Sequence, residues 1–140
     1  MSLKYQDITD VIIAAYFFVY NNLGYGFLEK VYENAFVYEL RKRGLTVEQQ
    51  VRIKVYYDGT IVGEYIADLV VQDVVLCELK ANESITNIDL AQLINYLRAT
   101  EIEVGLLFNF GPKPKFERRF LSNENKKHLI ARSQELNIKR

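Results

Sequence analysis

An α/β domain, with a mixed four-stranded sheet flanked by helices, is the fold class this sequence predicts. Three observations predict it. The spacing of apolar residues changes along the chain from the helical period to the strand period. An Asp-Gly pair joins the first two of three consecutive strand-like runs, which makes them a hairpin. A helical stretch then separates the third run from a fourth, as a crossover connection requires. At 140 residues the chain fits one domain, and residues 1–140 are read as a single unit.

The elements follow in order. Residues 8–20 repeat apolar side chains at Ile8, Val11, Ile12, Ala15, Tyr16 and Val19, a helical stripe. "NNLGYG" breaks it with two glycines. A second helix is expected from Phe27 to Arg43, with a stripe of Leu28, Val31, Tyr32, Ala35, Phe36 and Leu40. Gly44 after the basic "RKR" suits its C-terminus. Strands are expected over Val47–Tyr57, Thr60–Val71 and Val74 or Val75 to Lys80, with "YDGT" turning the first into the second. Thr86 and Asp89 have the spacing of an N-terminal cap for a helix from Ile88 to Ala99. "EVGLLFNF" is a fourth strand, stopped by "GPKPK". A short strand, Phe116–Phe120, and a helix, Asn123–Ala131, complete the chain.

Composition narrows the function classes. Lys plus Arg number 18 and Asp plus Glu number 18, a balance that argues against a protein built to coat nucleic acid. It leaves room for an enzyme with a local basic patch. Such a patch is "KPKFERR", with Lys113, Lys115, Arg118 and Arg119, which reads equally as a solvated charge run or a phosphate-contacting strip. The single cysteine, Cys77, excludes an internal disulfide and a thiolate metal cluster. The most apolar stretch, "VIIAAYFFVY", is too short to span a bilayer, and no signal peptide is recognisable. A cytoplasmic protein with no membrane partner is the expectation. The surplus of 10 tyrosines and 8 phenylalanines raises the expectation of a homodimer, with part of the aromatic surface at an interface.

Charged residues inside an apolar sheet carry the functional signal. "ADLVVQDVVLCELKANES" spans two expected buried strands yet holds Asp68, Glu78 and Lys80. Glu78 and Lys80 leave one face of their strand. Buried carboxylates are costly, and two facing each other repel. A divalent cation removes both problems, and Mg²⁺ takes carboxylate oxygens, with water and phosphate completing its octahedron. Lys80 would then orient an attacking water, help deprotonate it, or offset charge on the phosphorane. The same pattern also fits a solvent-facing salt bridge of Lys80 with Asp68 or Glu78. A shared face for the two acids constrains the turn. A strict two-residue turn would pair residue 71 with 74 and set Asp68 opposite Cys77, so a three-residue connection, Gln72 to Val74, or a bulge is required. Glu29 lies at the margin of the second helix's stripe, after Gly24 and Gly26, where it fits either the helix dipole or a ligand role. Gln92 and Tyr96 are four apart on one face of the crossover helix, either a polar margin or donors to a phosphate or carboxylate.

Taken together these motifs resemble a known family. "GFLEKVY" fits G-x-x-E-x-x-Y, "ADLVVQDVVLCELKA" fits the D-x(n)-E-x-K heart of the PD-(D/E)XK nucleases, and "QLINY" fits the Q-x-x-x-Y of their RecB-like branch. With "VGLLFNFG" following, residues 5–122 resemble the small GxxExxY proteins placed in that superfamily. The resemblance implies a restriction-endonuclease-like αβββαβ core, here with an extra N-terminal helix and a short C-terminal strand and helix. It implies Mg²⁺-dependent (or Mn²⁺-dependent) cleavage of nucleic acid, DNA before RNA. It implies Asp68 and Glu78 as metal ligands, Glu29 as the helix acid beside the metal and Lys80 as the catalytic lysine. Gln92 and Tyr96 become site-ordering or substrate-ordering residues. The superfamily's proline before the aspartate is Ala67 here, a backbone difference that removes no catalytic group. The alternative is a catalytically silent relative that binds nucleic acid or a protein partner. A hydrolase of some other phosphoester also stays open. His128, the sole histidine, falls outside the constellation, so no Ser-His or Cys-His nucleophile is available.

Overall fold

Two helices lead into a five-stranded sheet that is crossed once by a third helix. The computed structural model describes residues 3–126. The elements are α1 (Gln6–Leu23), α2 (Glu29–Lys42), β1 (Val47–Tyr57), β2 (Thr60–Val71), β3 (Val75–Lys80), α3 (Asn87–Arg98), β4 (Val104–Phe110) and β5 (Pro114–Phe120). A single 3₁₀ turn follows at Asn123–Asn125. The rest of the expected last helix, and His128, lie outside the described residues. Strand order is β1-β2-β3-β4-β5. Only the β3–β4 pair is parallel, joined by α3, so the sheet is mixed. The expected four strands form its body, and the short C-terminal strand adds an antiparallel edge. No helix of the described residues is long and apolar enough to cross a membrane.

The helices cover opposite faces. α1 and α2 pack on alternate residues of both strands: Val75, Cys77 and Leu79 of β3, and Val104, Leu106, Phe108 and Phe110 of β4. α3 packs through Leu93, Tyr96 and Leu97 on Leu76 and Leu107 of the other face. This alternation follows from the strand period of two. β3 and β4 are apolar on both faces because both faces are covered, which is why "VLC" and "VGLLF" read as unbroken hydrophobic runs.

Helix α2 departs from its expected stripe. Leu28 is 80 % exposed and Val31 40 % exposed, while Glu33 is 3 % exposed. The buried stripe is Tyr32, Glu33, Phe36, Val37 and Leu40, rotated from the expected one. A carboxylate holds a place on it because Glu33 accepts from Gln49 Nε2 at 2.8 Å, Gln50 Nε2 at 2.9 Å and Lys30 Nζ at 2.9 Å. Buried charge is tolerated when it is this well bonded. The helix ends in a Schellman motif: Leu45 N–H reaches Leu40 C=O, Gly44 N–H reaches Arg41 C=O, and Gly44 takes φ 88°.

Candidate active site

The site is a fork between two strands. β2 and β3 pair only through Leu69–Val71 with Val75–Cys77, then part. The turn between them sets their register. Gln72 and Asp73 both take positive φ, and Val74 N–H closes the turn on Val71 C=O at 3.1 Å. Val71 nevertheless pairs with Val75, so Val74 is an extra residue. The connection is therefore Gln72 to Val74, the three-residue form that the shared-site geometry required. It shifts the register by one, and the rank after Leu69–Cys77 brings Asp68 opposite Glu78.

At that rank side chains replace the ladder. Asp68 N–H donates to Glu78 Oε1 at 2.8 Å, and Leu79 N–H donates to Asp68 Oδ2 at 2.8 Å. The two carboxylates plug the mouth of the fork, each with one oxygen bound to a backbone N–H. A second irregularity sits beside them. Leu69 and Val47 belong to the core under α1 and α2, whereas Ala67 and Ile53 belong to the core under α3. Odd residues thus change faces along both strands. The change falls at Gln50, which has φ 54°, and at its neighbour across the ladder, Asp68. Asp68 stands where the hairpin reverses its faces, so one strand serves both cores.

Burial and mutual repulsion govern the acids. Glu78, 4 % exposed, has its carboxyl pushed up to about 8, by burial first and then by the Asp68 charge. Asp68 is also raised, by burial first; the Leu79 N–H, Lys80 and the Gln50 amide oppose the rise and Glu33 adds to it. Glu29, at the first position of α2, is open to solvent on its outer side. It is still crowded enough by protein that burial is the first cause of its raised pKa, followed by the charge of Asp68, with Lys80 opposing. Its field reaches Glu78 in turn. Among the described residues, no group of three or more His, Cys, Asp or Glu side chains is assembled closely enough to hold a metal ion. The closely opposed acids are two, Asp68 and Glu78.

Of the remaining predicted residues, Lys80 and Tyr96 lie within the electrostatic reach of this pair. Lys80 leaves the α3 face of β3, and its ion-pair partner is Asp89 at 3.9 Å. Neither Asp68 nor Glu78 takes the salt bridge that the sequence left open. Asp89 is itself fixed, since its Oδ2 accepts from Thr86 N–H at 3.0 Å while Thr86 Oγ1 accepts from Asp89 N–H at 3.2 Å. The capping box that starts α3 therefore also aims Lys80. Tyr96 is 4 % exposed, with its hydroxyl pushed up to about 12 by burial, then by Glu78 and Asp68. Gln92, one turn earlier, is half-buried.

The basic residues after β4 do not share one face. On β5, Lys115 and Arg119 flank Glu117, at 4.0 and 3.4 Å from it. Arg118 points the other way and donates to Lys4 C=O at 2.7 Å and Thr9 Oγ1 at 3.3 Å. Lys113 is exposed in the preceding turn. Strand alternation divides the strip.

Two residues escaped the sequence reading. Glu33 follows Glu29 by one helical turn and bonds to Gln50, and both act on Asp68. The i, i+4 spacing of the two glutamates was the available signal. Nothing in "VEQQV" marks Gln50 as the residue that leaves the strand conformation.

A sequence model of the PD-(D/E)XK nuclease superfamily matches residues 6–120. No curated protein matches the chain in sequence. The fold is similar to that in the crystal structure of SSO0001, with a TM-score of 0.55 over 98 % of this chain and 69 % of that one, at 14 % identity. At that identity the likeness is one of fold alone. The sheet with its crossover helix is a restriction-endonuclease-like α/β core, and the match spans every element from α1 to β5: the chain belongs to the PD-(D/E)XK nuclease superfamily.

Proposed function

We propose that this protein is a nuclease dependent on Mg²⁺ or Mn²⁺, which hydrolyses phosphodiester bonds of nucleic acid, DNA before RNA, with water as nucleophile. The observation that carries the reading is the Asp68–Glu78 pair at the mouth of the fork. A buried carboxylate, Glu78, and a half-buried one, Asp68, both raised in pKa, are set against each other with one oxygen apiece left from the backbone bonds. A hard divalent cation suits that donor set, because it offsets the repulsion and accepts carboxylate oxygens. Asp68 and Glu78 would hold it, with Glu29 helping directly or through water. When bound, such an ion lowers the pKa of a coordinated water and offsets charge on the scissile phosphate.

The chain's own residues supply the rest. Lys80, aimed by Asp89 and acting on the charges of Asp68 and Glu78, would orient the attacking water or its proton acceptor. The Tyr96 hydroxyl, with its pKa near 12, remains protonated at neutral pH and can donate to a phosphate oxygen or to Glu78. Gln92 presents an amide on the same helical face. Within the superfamily we place the chain among the GxxExxY proteins on Gly26, Glu29 and Tyr32. The Tyr32 hydroxyl donates to Gly24 C=O and accepts from Phe27 N–H at 3.1 Å, which holds the loop that delivers Glu29.

A second reading is a silent module that binds nucleic acid or a protein. It draws on the lack of a three-residue metal group among the described residues. A panel of DNA and RNA substrates with Mg²⁺ or Mn²⁺, run beside Lys80→Ala and paired with calorimetric Mg²⁺ titration, separates the two. Cleavage that requires the metal and Lys80 supports the nuclease. Neither metal binding nor cleavage in the wild type leaves the silent module.

A further inference from the structure

We infer that the groove between the β1–β2 hairpin and α3 is a subsite for single-stranded nucleic acid, where one unpaired base lies against Tyr65 and a neighbouring phosphate against Arg98. The inference rests on the nuclease reading for its scissile bond but not for its binding. The groove is lined by Val55, Tyr65, Asn95, Arg98 and Ala99. Asn95, Arg98 and Ala99 share one face of α3 by their spacing. Asn95 Oδ1 accepts from Arg98 Nη1 at 3.4 Å, a long bond that restrains the guanidinium on that face.

Continuity with the acid pair locates the groove on the substrate's path. Tyr65 and Tyr96 rings lie 5.3 Å apart, tilted by 40°, and Tyr96 is buried within the field of Glu78 and Asp68. A chain with its phosphate at the fork would cross Tyr96 and reach Tyr65 next. Tyr65 is 45 % exposed, which leaves aromatic surface for the stacking that every base accepts. Arg98 supplies the matching cation for a phosphate oxygen.

Size and charge choose a single strand. The groove holds about 270 Å³, just below the ~300 Å³ at which small-ligand clefts begin. That is room for one base turned out of a stack. One guanidinium and a formal net charge of zero do not match the phosphate density of a duplex, whose binders neutralise many phosphates.

The test uses the full chain and a labelled single-stranded oligonucleotide, with binding followed by fluorescence anisotropy in EDTA and cleavage followed in Mg²⁺ or Mn²⁺. The wild type should bind the single strand in preference to a blunt duplex of the same sequence. Tyr65→Ala should weaken binding roughly ten- to hundredfold, the usual loss for one stacked base, and Tyr65→Phe should not. Arg98→Ala should lower the salt slope of binding by about one. Because Arg98 is exposed, that variant decides the question even where Tyr65→Ala fails to fold. Equal affinity for duplex, or wild-type binding by both Tyr65→Ala and Arg98→Ala, overturns the subsite. A dimer that Tyr65→Ala dissolves without change in oligonucleotide binding overturns it as well, since a second copy then covers the groove. Cleavage that ignores Tyr65 and Arg98 sinks the subsite and spares the nuclease. Tyr65-dependent binding with no cleavage does the reverse.

Discussion

In the absence of a cation, Glu78 holds its proton to a higher pH than a free carboxyl does. Its folded pKa of about 8 lies above the ordinary 4.5, because burial and Asp68 both disfavour the anion. A raised folded pKa means that the native state holds the proton more tightly than the unfolded chain does. The associated stability is fully present below about pH 4.5 and is lost as pH rises through about 8, a change on the order of a few kcal/mol. Thermal melts in EDTA should therefore show Tm falling between pH 5 and 8, and Glu78→Gln should flatten that slope. Gln keeps an oxygen to accept from Asp68 N–H but carries no charge. If the variant melts with the wild-type slope, Glu78 is not the group responsible. Lys80 answers to a different measurement. Its ammonium is held by Asp89 and not by either acid of the pair, so Lys80→Ala should leave Mg²⁺ affinity near wild type. It should lower kcat by about 10²–10⁴-fold, the range for a positioned proton-transfer group. Asp68→Ala and Glu78→Ala should abolish metal binding and turnover together. Cleavage by Glu78→Ala, or by the wild type in excess EDTA, at an undiminished rate would rule out this mechanism.

The loop from β3 into α3 controls where Lys80 and Asp89 stand, and it is clamped from the end of β4. Asn109 Oδ1 accepts from Asn82 N–H, and Asn109 Nδ2 donates to Asn82 C=O, both at 3.0 Å. Gly111 leaves room for this clamp: a methyl there would lie 2.2 Å from Asn82 O and 2.7 Å from Asn109 Nδ2. The nearer atom is backbone, so it cannot swing aside. Gly111→Ala should cost roughly 1–3 kcal/mol, the usual range for overpacking, read as a lower urea midpoint with unchanged m. Gly105→Ala should cost less, because its 2.8 Å neighbour is a side-chain methyl of Leu93 and not backbone. A Gly111→Ala midpoint equal to wild type would show that the clamp can move. Asn109 had offered no role in the sequence, since an amide at a strand end has no period to betray its partner 27 residues away. The strands were legible because apolar runs, the Asp-Gly turn and the register demanded by Asp68 and Glu78 all agreed. The stripe of α2 was not. Leu28 and Val31 look like core by hydrophobicity, whereas Glu33 is buried with hydrogen bonds from Gln49 and Gln50, 16 and 17 residues away in sequence, beside the local one from Lys30.

At the scale of the whole molecule, the aromatic surplus that suggested a homodimer mostly has work inside. Tyr16, Phe36, Phe108 and Phe110 form one ring cluster between the helices and the sheet, with centroid separations of 4.6–6.4 Å. Tyr32 stacks on Phe110 at 4.5 Å. Of the aromatics that stay exposed, Phe18 (48 %) on α1 and Tyr38 (69 %) on α2 lie side by side. They border a cleft of about 210 Å³ with Val19, Leu23 and Ala35, between α1 and α2 on the side of the sheet opposite α3. A homodimer proposal places that cleft at the interface, with Tyr38 of each copy as the residue to bury. Such an interface would leave the groove beside α3 open in both protomers, so two forks could act on one nucleic acid. Light scattering should then give twice the 16.4 kDa chain mass, and Tyr38→Glu should return it to the single value by placing a charge in the apolar seam. A mass of 16.4 kDa for the wild type across micromolar concentrations would make the fork the work of a monomer.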